Sequence, residues 1–125
     1  MKGAARLFLT LAIIYALCGM ILGIYMAASE NHTQMPTHAH TMVAGWIMSS
    51  VFAFFYHFFP EIGAKRMAYV HFWLQGISGV VLVVSLFFYL GGNPNIGPIT
   101  GLASYGFFAG MLVFAWNALP VIRTA

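Results

Sequence analysis

Four long apolar stretches, at positions 7–28, 38–59, 67–90 and 99–119, constrain the fold of this chain more than any other feature. Each is long enough for an α-helix to cross the hydrocarbon core of a bilayer, which takes roughly 20 residues. A membrane β-barrel would instead alternate in polarity within segments of about 10 residues. Because 62% of the residues are hydrophobic and 6% are charged, a soluble fold could not bury the apolar surface. We therefore predict an all-α integral membrane protein, a single four-helix bundle over residues 1–125.

Short turn-forming segments separate the predicted helices. Pro36 and Pro60 bracket the second stretch, and residues 91–98 contain an Asn-Pro-Asn sequence typical of a turn. The single cysteine, Cys18, lies in the middle of the first stretch, cannot form an internal disulfide, and is predicted to pack. Small residues four apart let helices approach closely in lipid. They predict contacts within the bundle, or alternatively between subunits, at Gly19/Gly23, Gly97/Gly101 and Gly106/Gly110.

The distribution of positive charge predicts the orientation in the membrane. With four spans, the two termini and the loop at 60–66 share one face, and every Lys and Arg lies there: Lys2, Arg6, Lys65, Arg66 and Arg123. Since basic residues accumulate on the cytoplasmic side, both termini are predicted to be cytoplasmic in a bacterial-type inner membrane. Topology and anionic lipid account for the net charge of +3, so no nucleic-acid partner is predicted.

Histidines are the best candidates for function. His38 and His40 open the second stretch, near the predicted outer face, where a polar side chain is costly without a partner. Neutral imidazole is the commonest protein ligand for metals, and it also ligates haem iron. Because residues two apart point about 200° apart on a helix, one iron cannot take both rings. The pair therefore serves two centres, or one or both rings simply hydrogen-bond at the interface.

Other residues near the pair leave two further hypotheses about function open. His32, Met35, His38, His40 and Met42 together offer the nitrogen and soft sulfur donors that suit copper, so a copper-binding or copper-transfer protein is an alternative. A structural membrane subunit without a cofactor is another.

A second copy of the chain could supply a missing haem ligand, which favours a homo-oligomer. His57 and His71 form a predicted inner group with a weaker claim to a metal, and the aromatic side chains of 52–59 are predicted to pack.

One part of the chain resembles a known family. His38-Ala-His40, Gly45-Trp46, Tyr56-His57-Phe-Phe-Pro60, Lys65-Arg66-Met67 and His71-Phe72-Trp73 stand in an order and spacing similar to the catalytic subunit of cbb-type haem-copper oxidases, and more weakly to nitric oxide reductases. The resemblance covers approximately residues 38–90. It implies that His38 matches the ligand of the high-spin haem and His40 that of the low-spin haem b. Trp46 could then pack against a porphyrin.

The chain departs from that family where oxygen chemistry needs more ligands. It has no His-His pair for copper, and its only carboxylates, Glu30 and Glu61, lie in predicted loops. A complete oxidase is therefore not expected, and whether the chain is an enzyme stays open. The expectation is a small protein that binds one or two haem b groups for electron transfer, with a redox partner, or for binding O2 or NO.

Overall fold

The computed structural model describes residues 1–124 and is built from helices, with no strand among those residues. Helix α1 is Gly3–Ser29, α2 is Met35–Phe58, α3 is the single turn Pro60–Gly63, α4 is Arg66–Leu90 and α5 is Gly97–Arg123. A 3-10 turn, Pro94–Ile96, precedes α5. Within the described part of the chain, four helices are long and apolar enough to cross a membrane. The predicted all-α four-helix membrane fold is confirmed.

Local chemistry explains where the helices begin and end. Pro36 lies in the first turn of α2, where its missing N–H costs nothing, and Pro60 starts α3 after α2 has ended. Glu30 closes α1 in the left-handed conformation, with φ of 56°. Gly92, with φ of 104°, turns the chain after α4. The turn predicted at 91–98 is shorter than expected, because Pro98 already lies in the first turn of α5.

The bundle consists of two closely packed helix pairs. Helix α1 packs along α2, and α4 packs along α5, whereas α1 and α4 touch less extensively. A cluster of buried side chains lies near the start of α1 and includes Phe8, Phe52 and Tyr56. The rings of Phe8 and Phe52 are 5.3 Å apart, a normal distance for interlocked aromatic side chains. The predicted packing role of this aromatic run is confirmed for its buried members.

Most of the glycine pairs mark helix contacts within the bundle, as predicted. Gly19 faces Met42 and Thr41 of α2, and Gly23 faces the His38 ring. In the second helix pair, Gly106 and Gly110 face Ser78 and Gln75, and Gly97 faces Tyr89. Gly101 differs, since a Cβ built there would meet nothing within 4 Å.

The two ends of the bundle differ in charge. At one end, the N-terminus, the α2–α4 connection and the end of α5 come together, since Gly3 lies beside the Tyr69 hydroxyl and Asn117 bonds the Met67 carbonyl. We call this the basic end because Lys2, Arg6, Lys65, Arg66 and Arg123 all lie there. The opposite end, with His32, His38 and His40, is called the histidine end.

Candidate functional site

His40 has one anchored nitrogen and one free nitrogen. Its Nδ1 is 2.7 Å from the carbonyl oxygen of Pro36, one turn earlier in α2. A carbonyl oxygen can only accept, so Nδ1–H donates and the lone pair of the neutral ring stays on Nε2. Among residues 1–124, no group bonds to that Nε2. A ring held through Nδ1 to a carbonyl, with Nε2 open, is the arrangement typical of metal-ligating histidines.

The His40 ring points away from the rest of the bundle. The residue is exposed, and Val43 and Ile47, three and seven positions later, are 55% and 50% exposed. These three side chains share the outward side of α2. A group bound to His40 would therefore lie on the surface of the bundle, with one of its faces turned towards lipid or a second chain.

His38 faces the opposite way, into α1. Its Nδ1 is 2.8 Å from the Gly19 carbonyl oxygen, so here too Nδ1–H donates and Nε2 keeps the lone pair. The far edge of the ring, however, lies against Gly23, where an added Cβ would be 3.0 Å from Cε1 and 3.7 Å from Nε2. No porphyrin fits between His38 and α1 in this arrangement. The predicted divergence of the two histidines is confirmed, while their chemical surroundings differ.

A π-helical segment, Thr41–Ile47, directly follows the histidine pair within α2. Such segments are rare and frequently occur at functional sites. Here the segment contains Gly45, whose backbone packs on the Tyr15 ring of α1. It also contains Trp46, which is partly buried and whose carbonyl accepts a hydrogen bond from Ser50 Oγ at 2.7 Å. The wider winding of this segment changes which side chains of α2 lie on the same face directly after His38 and His40.

The donors considered for copper do not converge. His32 is exposed, Met35 is 46% exposed, and Met42 packs on Gly19 together with Thr41. His38 faces α1 and His40 faces outward. No group of three or more His, Cys, Asp or Glu side chains with metal-binding geometry occurs within residues 1–124.

The structure reveals a buried hydrogen-bond network near the basic end that the sequence did not predict. Asn117 Nδ2 donates to the Tyr56 hydroxyl at 2.9 Å and to the Met67 carbonyl at 3.1 Å. The Tyr56 hydroxyl and His71 Nδ1 are 2.8 Å apart, and His71 Nε2 and Gln75 Oε1 are 3.2 Å apart. Since the amide oxygen can only accept, Nε2–H donates to Gln75 and Nδ1 accepts from Tyr56.

This network involves one of the two inner histidines, His71, and not the other, His57. His71 is fully buried and both of its ring nitrogens are engaged, which leaves none for a metal. His57 also lies near the basic end, beside Lys2 and Tyr56, but is exposed, so the two inner histidines share a depth, as predicted, without sharing a site. The network links α2, α4 and α5, and Gln75 Nε2 is its one buried group without a partner among the described residues. A clue was present in the sequence, because His71 and Gln75 are four residues apart inside an apolar span.

A groove of about 960 Å³ lies between α1 and α4, where the two helix pairs meet loosely. Its walls are mostly aliphatic, with Tyr15 and Cys18 near mid-length and Gln34, Thr37 and Thr41 towards the histidine end. Cys18 is exposed on this wall, so the predicted packing role is wrong for it. Neither His38 nor His40 lines the groove.

Comparisons of the chain with protein-family models, with curated proteins and with solved structures return no match. The geometry of the side chains is therefore the basis for assigning a function.

Proposed function

We propose that this chain is a membrane protein that binds haem b through His40, for electron transfer or for binding a diatomic gas. The observation that carries the proposal is the His40 ring, held through Nδ1 to the Pro36 carbonyl with an unpartnered Nε2. An imidazole on the lipid-facing side of a helix is costly without a partner. The resemblance of residues 38–90 to haem-binding oxidase subunits supports the same ligand.

His40 would be the one haem ligand that each chain supplies on this side of α2. His40 supplies neutral nitrogen, and the exposed side chains of Val43 and Ile47 supply an apolar surface for a porphyrin. His38 fits less well as the ligand of a second haem, because its Nε2 edge is packed on Gly23. When bound, haem b supplies reversible one-electron chemistry and, at an open position, gas binding.

The chain's own residues position the ligand. The Pro36 carbonyl fixes the tautomer and the direction of the His40 ring, and the helix fixes its depth near the histidine end. If basic residues face the cytoplasm, His40 lies in the outer leaflet of a bacterial inner membrane. Since His38 and Met42 face α1, a second copy of this chain would be a source of a further iron ligand.

The test is an optical spectrum of detergent-purified protein in three forms: wild type, His40→Ala and His57→Ala. His57 is the matched control, being an exposed histidine near the other end of α2. We expect a reduced α band in the wild type and in His57→Ala, and its loss in His40→Ala. An unchanged band in folded His40→Ala, or a colourless wild type, would contradict the proposal.

Carbon monoxide then distinguishes the two coordination states. A shift of the reduced spectrum indicates an open position for a gas, whereas no shift indicates closure by a second ligand. Copper in a colourless protein, found by elemental analysis, would favour the copper-binding alternative instead.

A further inference from the structure

Tyr15 is a buried residue of the groove between α1 and α4 whose polar group is held in place but has no partner. Tyr15 is 7% exposed, and its hydroxyl makes no hydrogen bond to any residue of 1–124. The residue lines the groove, which places the phenol at the boundary between the core and the open space. A hydroxyl at this depth without a hydrogen bond is unfavourable, because neither water nor lipid tails satisfy it there.

Two glycines hold the Tyr15 side chain in this position. Gly45 of α2 lies directly on the ring, where an added Cβ would be 2.9 Å from Tyr15 Cβ and closer still to the ring carbons. Gly79 of α4 lies beside the hydroxyl, where an added Cβ would be 2.8 Å from the oxygen. Any larger side chain at either position would displace the phenol. The hydroxyl is therefore fixed against the groove by contacts from two different helices.

The depth of the hydroxyl limits which molecule can bond to it. Tyr15 is near the middle of the 27-residue α1, and Gly79 is near the middle of the 25-residue α4. At about 1.5 Å per residue, the hydroxyl lies about 20 Å from either end of α1, close to the centre of the bilayer. The ester carbonyls of a phospholipid lie at the interface, too far away to accept its proton. The acceptor must belong to a molecule whose polar atoms enter the hydrocarbon core.

We propose that the groove binds an isoprenoid quinone, with a ring carbonyl accepting a hydrogen bond from the Tyr15 hydroxyl. The ring of such a molecule is neutral and carries acceptors without strong donors, which matches the Tyr15 phenol at this depth. The other phenol of the groove, Tyr25, lies ten residues nearer the histidine end. The isoprenoid tail matches the aliphatic part of the groove, where Leu22, Val80 and Val83 contribute. The volume of about 960 Å³ is in the range of a site for one small organic molecule.

This inference does not depend on the haem proposal, since it concerns another surface of the bundle and its test needs no haem. Purified protein is mixed with decylubiquinone in detergent, and binding is followed by protection of Cys18 from N-ethylmaleimide. Cys18 serves as the reporter because it is the only cysteine and lies in the groove wall. We expect saturable slowing of the modification, measured by intact-protein mass spectrometry.

Variants test whether the protection of Cys18 comes from decylubiquinone bound in the groove. Tyr15→Phe keeps the ring and removes the hydroxyl, so we expect affinity to fall about two- to tenfold, the effect of one neutral hydrogen bond. Tyr105→Phe, at a residue that is 76% exposed on α5, should leave affinity unchanged. Val83→Trp fills the groove and should abolish the protection, whereas Val81→Trp, outside the lining, should not.

Three results would overturn the proposal. One is the absence of saturable protection in the wild type. Another is equal affinity in Tyr15→Phe and the wild type, with protection retained in a Val83→Trp protein whose far-UV circular dichroism is native. The last is co-purification of phospholipid in the groove, seen by native mass spectrometry, that an excess of decylubiquinone does not displace.

Discussion

The contact between Gly45 and the Tyr15 ring predicts that Gly45→Ala lowers the stability of the protein. In Gly45→Ala the new Cβ would overlap Cβ, Cγ and Cδ1 of Tyr15, the rigid base of an aromatic side chain that cannot swing aside. Overpacking of this kind costs about 1–3 kcal/mol. Alanine recovers at most about 1 kcal/mol through its higher helix propensity. Because the overlap is with the rigid base of the ring, the cost lies near the upper end of that range, and we expect the free energy of unfolding to fall by about 2 kcal/mol.

Gly101→Ala is the matched control for this substitution. A Cβ at Gly101 meets nothing within 4 Å, so only the propensity gain remains and the stability should rise slightly or stay the same. Both variants can be measured by reversible SDS unfolding in mixed micelles, followed by far-UV circular dichroism. Equal stability of Gly45→Ala and the wild type would refute the packing of α1 on α2 described above. Equal destabilisation by both variants would show that the steric reasoning is wrong.

Further predictions concern the buried network, the histidine contact and the orientation. Tyr56→Phe removes two hydrogen bonds and leaves His71 Nδ1 unpaired, so the same unfolding assay should show a loss of about 1–2 kcal/mol, which Tyr105→Phe should not show. Gly23→Ala should push the His38 ring away from Gly19 yet leave the haem spectrum unchanged, because His40 is the proposed ligand; a lost α band would implicate His38 instead. With a cytoplasmic C-terminus, a fluorescent protein fused after the last residue should fluoresce in bacteria, and alkaline phosphatase fused at the same position should be inactive. The reverse pattern would contradict the predicted orientation.

The four spans could be predicted because the bilayer demands length and apolarity, and both are visible in the sequence. The helix ends were harder to place. Helix α1 begins at Gly3 and α5 continues through Pro120 to Arg123, beyond the apolar stretches. Helices extend into the interfacial layer, where polar residues are tolerated, so hydropathy alone stops short of the true ends.

The divergence of His38 and His40 followed from helix geometry alone. Their hydrogen-bond partners were only partly predictable: the Pro36 carbonyl lies one turn from His40 in the same helix, whereas the Gly19 carbonyl belongs to α1. Contacts of the second kind depend on how two helices are rotated against each other. No pattern within one span contains that information.

The buried network was missed for the same reason. Tyr56, His71 and Asn117 lie on three helices, and each taken alone resembles a packing or interfacial residue. Inside a bilayer a buried polar side chain needs a partner, so these residues could have been suspected of pairing with one another. The particular pairs required the assembled bundle.

Haem content of the purified wild-type protein is the decisive measurement for His40 as an iron ligand. The pyridine haemochrome assay, applied after expression in haem-sufficient cells, measures haem b per chain. With one ligand from each chain, we expect one haem b for every two chains if a second copy supplies the other ligand, and one haem b per chain if it does not. Protein that is folded and helical but contains no haem b would contradict it.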